Sequence, residues 1–233
     1  MKASPHIASL IEVSKRYGVN GMSTTVLEDV SMSVRAGELV LLLGPSGSGK
    51  TTLLSLLAGL LEPTQGTTQL FGRDVGSYTT GQLQKLRARR IGFVFQNFLL
   101  IDALTVWQNI ELVMSFCDET EKDVQTSVDE LLALVSIRHL AHAYPARLSQ
   151  GEKQRAAIAR ALANDADLLL ADEPTASLES SQGEGIIRIL YRFAKERRKA
   201  VVVASHDRRL VAYADRILHV VDGSVREEER VTG

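Results

Sequence analysis

The sequence predicts an α/β fold in which a sheet domain is interrupted by a helical insert. The five residues Leu39–Leu43 are all apolar, as expected of a strand buried on both faces of a parallel sheet. From Val106 to about Ala163 the pattern becomes helical, with Glu, Gln and Ala in place of β-branched runs. Further β-type segments follow at Leu168–Ala171 and Val201–Ala204, so strands lie on both sides of the helical region.

Length and composition indicate one globular unit. The 233 residues, 45% of them hydrophobic, can bury one substantial core with a small inserted lobe. The 27 basic and 28 acidic residues leave a net charge of −1, which argues against a broad electrostatic footprint for nucleic acid. The single cysteine, Cys117, excludes an intrachain disulfide and fits a reducing cytosol.

The apolar segments are too short for a membrane span. The first ten residues lack the continuous apolar stretch of a secretory signal. The longest apolar-rich segments, Leu39–Leu43 and Leu53–Leu61, fall far short of the roughly 20 residues that cross a bilayer. We therefore expect a soluble protein that reaches a membrane only through a partner.

Local patterns predict the remaining elements in chain order. Further strands are expected at Ser9–Tyr17, Val26–Val34, Thr67–Phe71, Ile91–Phe95 and Ile217–Val221. Further helices are expected at Thr51–Leu60, Thr80–Arg89 and Gly185–Arg198, and helical periodicity appears in Val124, Val128, Leu131, Leu132 and Val135. The dipeptide Asp222–Gly223 predicts a tight hairpin turn near the end of the chain.

The strongest motif is a glycine-rich loop that leads into a lysine and a threonine. In order its residues are Gly44, Pro45, Ser46, Gly47, Ser48, Gly49, Lys50 and Thr51, which fit G-x-x-x-x-G-K-[ST]. Glycines let the backbone curl so that successive N–H groups line one concavity around phosphates, and the following helix adds its positive end. Lys50 can neutralise phosphate charge, and the Thr51 hydroxyl can hold Mg²⁺. A flexible glycine turn is the alternative, which the flanking strand and helix disfavour.

Two adjacent acids follow the apolar segment Leu168–Ala171. Ligands of parallel sheets bind at the carboxyl edge of the strands, where Asp172 and Glu173 would lie. Asp172 is placed to act on Mg²⁺, and Glu173 could orient and deprotonate an attacking water. An acidic strand end is common in itself, but beside a phosphate loop it favours this chemistry.

Two further polar residues follow predicted strands. His206 comes just after Val201–Ala204 and is a candidate to contact the terminal phosphate. Gln96 comes at the end of Ile91–Phe95 and is a candidate to touch Mg²⁺ or the water. Alone, either residue could simply belong to a loop.

The run Leu148–Glu152, followed by KQRAAIARAL, resembles the signature motif of ABC ATPases. The resemblance covers nearly the whole chain. It implies a P-loop NTPase with a RecA-like core and an N-terminal antiparallel β subdomain (1–96 and 165–233), into which an α-helical subdomain (97–164) is inserted. Gln96 then matches the Q-loop, His206 the switch histidine, and Tyr17 the aromatic that stacks on adenine, although Tyr17 could instead only pack. The run at Arg89–Leu100 and an insertion near Val19–Thr25 most resemble the lipoprotein-release and macrolide-export branch.

The resemblance also implies partners. In the family, two cassettes form a head-to-tail dimer, and each ATP on one phosphate loop is covered by the signature loop of the other cassette. Ser149 and Gly151 would supply that cover, and Thr52 would join the phosphate loop. The second cassette would be an identical copy or a paralogue. Separate transmembrane permease subunits would place the protein on the cytoplasmic face of the inner membrane, with no nucleic acid expected.

Three positions depart from the family pattern. Gln150 stands where glycine is usual, Glu152 where glutamine is usual, and Glu179 where the D-loop usually has aspartate. We interpret them as tuning, because Lys50, Thr51, Asp172, Glu173 and His206 are retained.

The predicted function is that of an ATP-hydrolysing subunit that drives export or extraction of a substrate through a permease. One alternative is an ABC ATPase that regulates a membrane protein controlling cell-wall enzymes, without transport. A second is a soluble ABC ATPase of DNA repair or translation, which the neutral charge and single cassette disfavour. A third, a small-metabolite kinase, leaves the signature run without a role.

Overall fold

The computed structural model describes residues 6–19, 22–116, 121–176 and 178–228. Within these ranges the strands are β1 His6–Val19, β2 Met22–Arg35, β3 Leu39–Leu43, β4 Gln65–Leu70, β5 Arg73–Asp74, β6 Ile91–Val94, β7 Leu168–Asp172, β8 Ala200–Ser205, β9 Arg216–Val221 and β10 Ser224–Glu227. The α-helices are α1 Lys50–Leu57, α2 Thr80–Arg90, α3 Val106–Met114, α4 Glu121–Leu134, α5 Gln150–Leu162 and α6 Ser180–Lys195. Cys117 lies outside the described residues, as does part of the predicted insertion at Val19–Thr25.

The strands form two sheets. The first has the order β2-β1-β4-β5, and all its pairs are antiparallel. The second has the order β10-β9-β3-β8-β7-β6, in which the five strands from β9 to β6 are parallel and β10 is antiparallel to β9. The predicted fold class is therefore confirmed, with an N-terminal antiparallel sheet, a larger mixed sheet, and helices α3 to α5 inserted between β6 and β7.

The core lies on both faces of the larger sheet, because successive side chains of a strand point to opposite faces. In β3, Leu39 and Leu41 join the apolar cluster that includes the inserted helices, whereas Val40 and Leu42 join the cluster beneath β1, β2 and α1. β8 alternates in the same way, and all six of its residues are buried. This arrangement confirms the prediction of strands buried on both faces.

Some element ends differ from the prediction. Helix α1 ends at Leu57 rather than Leu60, because Gly59 takes the left-handed conformation (φ 62°) that terminates helices. Helix α6 begins at Ser180, five residues before the predicted start. The Gly183 N–H already donates a helical hydrogen bond to the Glu179 carbonyl, so the helix includes the glycines near its start. It ends at Lys195, and Arg198 beyond it has a φ of 53°.

The hairpin turn at Asp222–Gly223 is confirmed. Val221 pairs with Ser224, and both turn residues have positive φ, 47° and 77°. Two residues with positive φ make a type I′ turn, which matches the twist of the strands it joins. Among the described residues, none of the helices has the length and apolar character that a membrane span requires.

Candidate functional site

The loop between β3 and α1 is shaped by glycines. Gly47 and Gly49 have φ values of 79° and 102°, which favour glycine. A Cβ atom added to Gly44 would lie 2.2 Å from the Val220 carbonyl oxygen of β9. The loop is thus curled tightly against the sheet. The first residues of α1, at its positive N-terminal end, line the cavity next to the loop.

Lys50 is folded back into this loop. The residue is only 6% exposed, and its ammonium donates hydrogen bonds of 2.7 Å to the carbonyls of Gly44 and Pro45. The buried hydroxyl oxygen of Ser48 has no hydrogen-bond partner in the described chain. A buried cation and an unpaired hydroxyl beside a curled backbone suit an anionic ligand that carries several oxygens.

A cavity of about 250 Å³ opens above the loop. Its lining comprises Val26, Ser46, Gly47, Gly49, Lys50, Thr51, Thr52, Gln96, Asp172 and Glu173. The cavity therefore brings together the phosphate loop, the residues after β6 and the end of β7, as the sequence predicts. Gly44, Pro45 and Ser48 shape the loop from behind this lining.

Asp172 lies at the end of β7 and accepts a hydrogen bond of 2.7 Å from the Thr51 hydroxyl. It is 4% exposed. Burial raises the pKa of its carboxyl, and the neighbouring charge of Glu173 raises that pKa further against the opposing effects of Thr51 and Lys50. A buried carboxylate, a hydroxyl and the Gln96 amide fit a hard divalent cation, which prefers oxygen ligands and would neutralise the buried charge.

Glu173 is the first residue after β7 and has a φ of 48°. Its backbone N–H donates to the Ala204 carbonyl at 2.8 Å, which extends the β7–β8 pairing by one residue. The Ser205 hydroxyl donates to Glu173 Oε2 at 3.1 Å, and His206 Nδ1 lies 3.1 Å from Oε1 and 3.0 Å from Oε2. The carboxylate is thus held by two neighbours while it lines the cavity.

Sequence reasoning predicted His206 but missed Ser205. The His206 side chain is 72% exposed and contacts Glu173 without belonging to the cavity lining. Its predicted contact with a terminal phosphate stays a prediction. Ser205 ends a six-residue strand whose other five residues are alanine or valine, and a hydroxyl at the carboxyl edge of the sheet is the signal that could have revealed it.

Comparison with known proteins places these features in a family. A family model described as "ABC transporter" matches residues 27–176, which is more than half of the chain. The chain belongs to the ABC transporter family. The match runs from within β2, through the phosphate loop, to just beyond Glu173, so it contains every residue that lines the cavity except Val26.

Two curated relatives of this ABC cassette illustrate its similarity. It is 40% identical over 224 residues to an uncharacterized ABC transporter ATP-binding protein of Thermotoga maritima, covering 96% of this chain and 95% of the relative. It is 38% identical over 219 residues to the macrolide export ATP-binding/permease protein MacB of Salmonella choleraesuis, covering 94% of this chain. The chain spans about a third (34%) of the length of that MacB protein.

Solved structures share the fold. The dimeric structure of a post-hydrolysis state of the ATP-binding cassette MJ0796, bound to ADP and Pi, has a TM-score of 0.92 and 36% identity, covering 97% of this chain and 99% of that one. The structure of cbiO1 from Clostridium perfringens, part of the cbiONQ transporter complex, has a TM-score of 0.81 and 29% identity, with coverages of 95% and 87%.

The signature loop of this ABC cassette lies at the start of α5, outside the lining of the cavity. Ser149 caps the helix: its hydroxyl accepts from Glu152 N–H at 3.3 Å, and Glu152 Oε2 accepts from the Ser149 N–H and hydroxyl at 2.8 Å each. The backbone N–H of Ser149, followed by its hydroxyl, lowers the pKa of the Glu152 carboxyl. Gln150 is exposed and Gly151 half-buried. Glu152 completes a capping box with Ser149, as Gln82 and Gln108 do at the starts of α2 and α3.

The structure does not bring Tyr17 to the cavity lining. The ring is exposed on β1, which continues two residues beyond it, and Lys15 Nζ lies 5.3 Å from the ring centroid. Stacking on adenine stays a prediction. Glu179, the last residue of the predicted D-loop 175–179, is the N-cap of α6 and makes no side-chain hydrogen bond as a cap. Ser177 of that loop lies outside the described residues.

Proposed function

We propose that this chain hydrolyses ATP as the nucleotide-binding subunit of an ABC transporter. The observation that carries this proposal is the single cavity in which Lys50, the Thr51–Asp172 pair and Glu173 meet. Lys50 suits phosphates, the Thr51–Asp172 pair suits a divalent cation, and Glu173 presents a carboxylate to the cavity.

The phosphate loop binds the nucleotide in this proposal. Backbone N–H groups from Ser46 to Thr52 surround the phosphates, and Lys50 exchanges its bonds to the Gly44 and Pro45 carbonyls for phosphate oxygens. Tyr17 stacks on the adenine. The ADP and Pi bound to the similar cassette MJ0796 support a nucleotide as the ligand of this chain.

Thr51, Asp172 and Gln96 hold Mg²⁺ directly or through water. When bound, the ion neutralises charge on the phosphate oxygens. Asp172 contributes its carboxylate at the floor of the cavity, and Thr51 is already oriented toward it by their hydrogen bond.

Glu173 acts as the general base. His206 lies beside it on the exposed side of the site. The Glu173 carboxylate takes a proton from the attacking water, whose oxygen forms a bond to the terminal phosphorus while the bond to the bridging oxygen of ADP breaks. His206 contacts the terminal phosphate, for which it must exchange its present position beside Glu173.

Two cassettes close head to tail around two Mg·ATP. Ser149 and Gly151 lie at the start of α5, outside their own cavity. The N–H groups of Gln150 and Gly151 make no hydrogen bond within the described chain, so this helix end suits the terminal phosphate on a second cassette. That cassette is an identical copy or a paralogue. The dimeric form described for the cassette MJ0796 supports this assembly.

A permease docks on an apolar groove of about 410 Å³ between the larger sheet and α3. Five exposed large apolar side chains line it: Leu60, Leu99, Ile101, Leu112 and Phe116. Leu99 and Phe116 are each 56% exposed. The proposed occupant is an apolar segment of a transmembrane permease, because the similar MacB is an ATP-binding/permease protein.

The groove adjoins the nucleotide cavity. Phe95 lines the groove and the next residue, Gln96, lines the cavity, so a change at the nucleotide reaches the groove within one residue. We propose that residues 97–164 form the helical subdomain that carries this movement, with 1–96 and 165–233 as the nucleotide-binding part. The chain lies on the cytoplasmic face of the inner membrane, and the assembly exports or extracts a substrate through the permease.

Phosphate release by the purified chain tests the proposed activity. We expect ATP hydrolysis that requires Mg²⁺ and that falls by roughly 10- to 100-fold at subsaturating ATP in Lys50→Ala, because removal of a charge-assisted phosphate contact costs that much in affinity. Lys85→Ala, which removes an exposed lysine of α2, is the matched control and keeps the native rate. Equal hydrolysis by Lys50→Ala and the native chain would contradict the proposal.

A further inference from the structure

We propose that Ser205, the last residue of β8, is a positioning residue that aligns the Glu173 carboxylate with the attacking water. This inference rests on the proposed function of Glu173 as general base. Ser205 is completely buried, and its hydroxyl donates to Glu173 Oε2 at 3.1 Å. Because β7 and β8 are adjacent parallel strands with Asp172 opposite Ala204, the sheet itself sets this contact.

The proton of the Ser205 hydroxyl is directed toward Glu173. The Asp207 N–H donates to Ser205 Oγ at 3.1 Å, so the oxygen acts as acceptor on that side. A hydroxyl carries one proton, and the carboxylate is its acceptor on the other side. Acceptance of one hydrogen bond also strengthens the bond that the same hydroxyl donates.

The turn that holds Ser205 is itself fixed. Asp207 accepts a hydrogen bond of 2.9 Å from the Thr175 hydroxyl, in the loop after Glu173, and the Arg209 guanidinium donates to the same carboxylate at 2.6 Å. Thr175 is buried. Ser205 therefore contacts Glu173 from a turn that is tied back to the segment following Glu173.

The two contacts of Glu173 differ in accessibility. His206 is exposed on the outer side, whereas Ser205 lies in the interior. If His206 turns to the terminal phosphate, as proposed above, it releases Glu173. The Ser205 bond then remains and keeps the carboxylate aligned, which is a separate role from that of His206.

Steady-state and binding measurements on Ser205→Ala and Ser205→Cys test this role. Both variants should lower kcat by about 10- to 100-fold, because small displacements of a reacting group cost rates of this order. The Kd for ATP should stay within about twofold of the native value, since Ser205 does not line the cavity. Cysteine keeps the approximate volume but is a weak donor. A native rate in Ser205→Cys would mean that packing matters and the hydrogen bond does not, which overturns the proposal.

A double-mutant cycle shows whether Ser205 acts through Glu173. Single-turnover hydrolysis by Glu173→Gln should not slow further when Ser205→Ala is added, because the group to be positioned is already changed. In a His206→Ala background, Ser205→Ala should still slow hydrolysis. Additive losses in the Glu173→Gln background would overturn the positioning role.

Controls separate this inference from the proposed function. Thr68→Val removes a buried hydroxyl of β4 in the other sheet and should keep the native kcat. If Glu173→Gln hydrolyses ATP at the native rate, the proposed general base fails. If Glu173→Gln is inactive while Ser205→Ala keeps the native rate, only the role of Ser205 fails.

Discussion

The Thr51 hydroxyl donates a hydrogen bond of 2.7 Å to Asp172 Oδ2, and this bond joins the first turn of α1 to the end of β7 across 121 residues of sequence. The bond holds the phosphate loop next to the carboxyl end of β7. Asp172 is buried there, and burial raises the pKa of its carboxyl above the ordinary 3.8. In the folded protein without nucleotide, burial therefore favours the neutral form of the Asp172 carboxyl over its ionised form.

Asp172→Asn should raise the melting temperature of the nucleotide-free protein at pH 7. The pKa of Asp172 is higher in the folded than in the unfolded protein, so the native protein loses stability as the pH rises from the unfolded to the folded pKa. Asparagine has no proton to lose, so the variant avoids this loss. The gain should shrink as the pH is lowered toward 3.8, the ordinary value. Thermal unfolding over a pH series checks this, with the exposed Asp102→Asn as control. A gain that is independent of pH would contradict the explanation.

Ser149→Ala should destabilise the protein and also abolish ATP-dependent dimerisation. Loss of an N-cap costs about 1 kcal/mol. Thr79→Ala is the matched control, because Thr79 and Gln82 form the same capping box at the start of α2. Denaturant unfolding should show similar losses in both variants, while light scattering with ATP should show a dimer only for Thr79→Ala. Equal dimerisation of the two variants would show that Ser149 does not cover a second nucleotide.

Leu99→Asp and Phe116→Asp should prevent capture of the membrane partner. Each replaces exposed apolar surface of the groove with a carboxylate, which must lose its hydration when a permease covers the groove and offers less apolar area to bury. Leu134→Asp, at an exposed leucine of α4 outside the groove, is the matched control. Affinity purification from detergent-solubilised membranes measures capture. Unchanged capture by both groove variants would place the partner elsewhere.

The sequence could predict the parts of the site that are local. Gly47, Gly49 and Lys50 lie within four residues, and their spacing between an apolar strand and a helix predicts the curled loop that the structure has. The alternation of Leu39 to Leu42 between two clusters also follows from the period of a strand. These features depend on neighbours in the chain, so they were predictable.

The contacts that cross the sheet could not be predicted in the same way. Ser205 meets Glu173 only because β8 pairs with β7 in one particular register. The groove forms where Leu60, which follows α1, meets Leu112 of α3 and Phe116 just beyond that helix. Helix α6 begins before its predicted start because the Glu179 carbonyl accepts a hydrogen bond that the local glycine content disfavours.

The central claim is that a nucleotide on the Lys50 loop is cleaved with the help of Glu173, and Glu173→Gln tests it most directly. Phosphate release and light scattering should be measured on the same samples with Mg·ATP. The account predicts a stable dimer that retains ATP and releases phosphate at least about 100-fold more slowly than the native chain. Hydrolysis at the native rate, or a variant that no longer binds ATP, would contradict it.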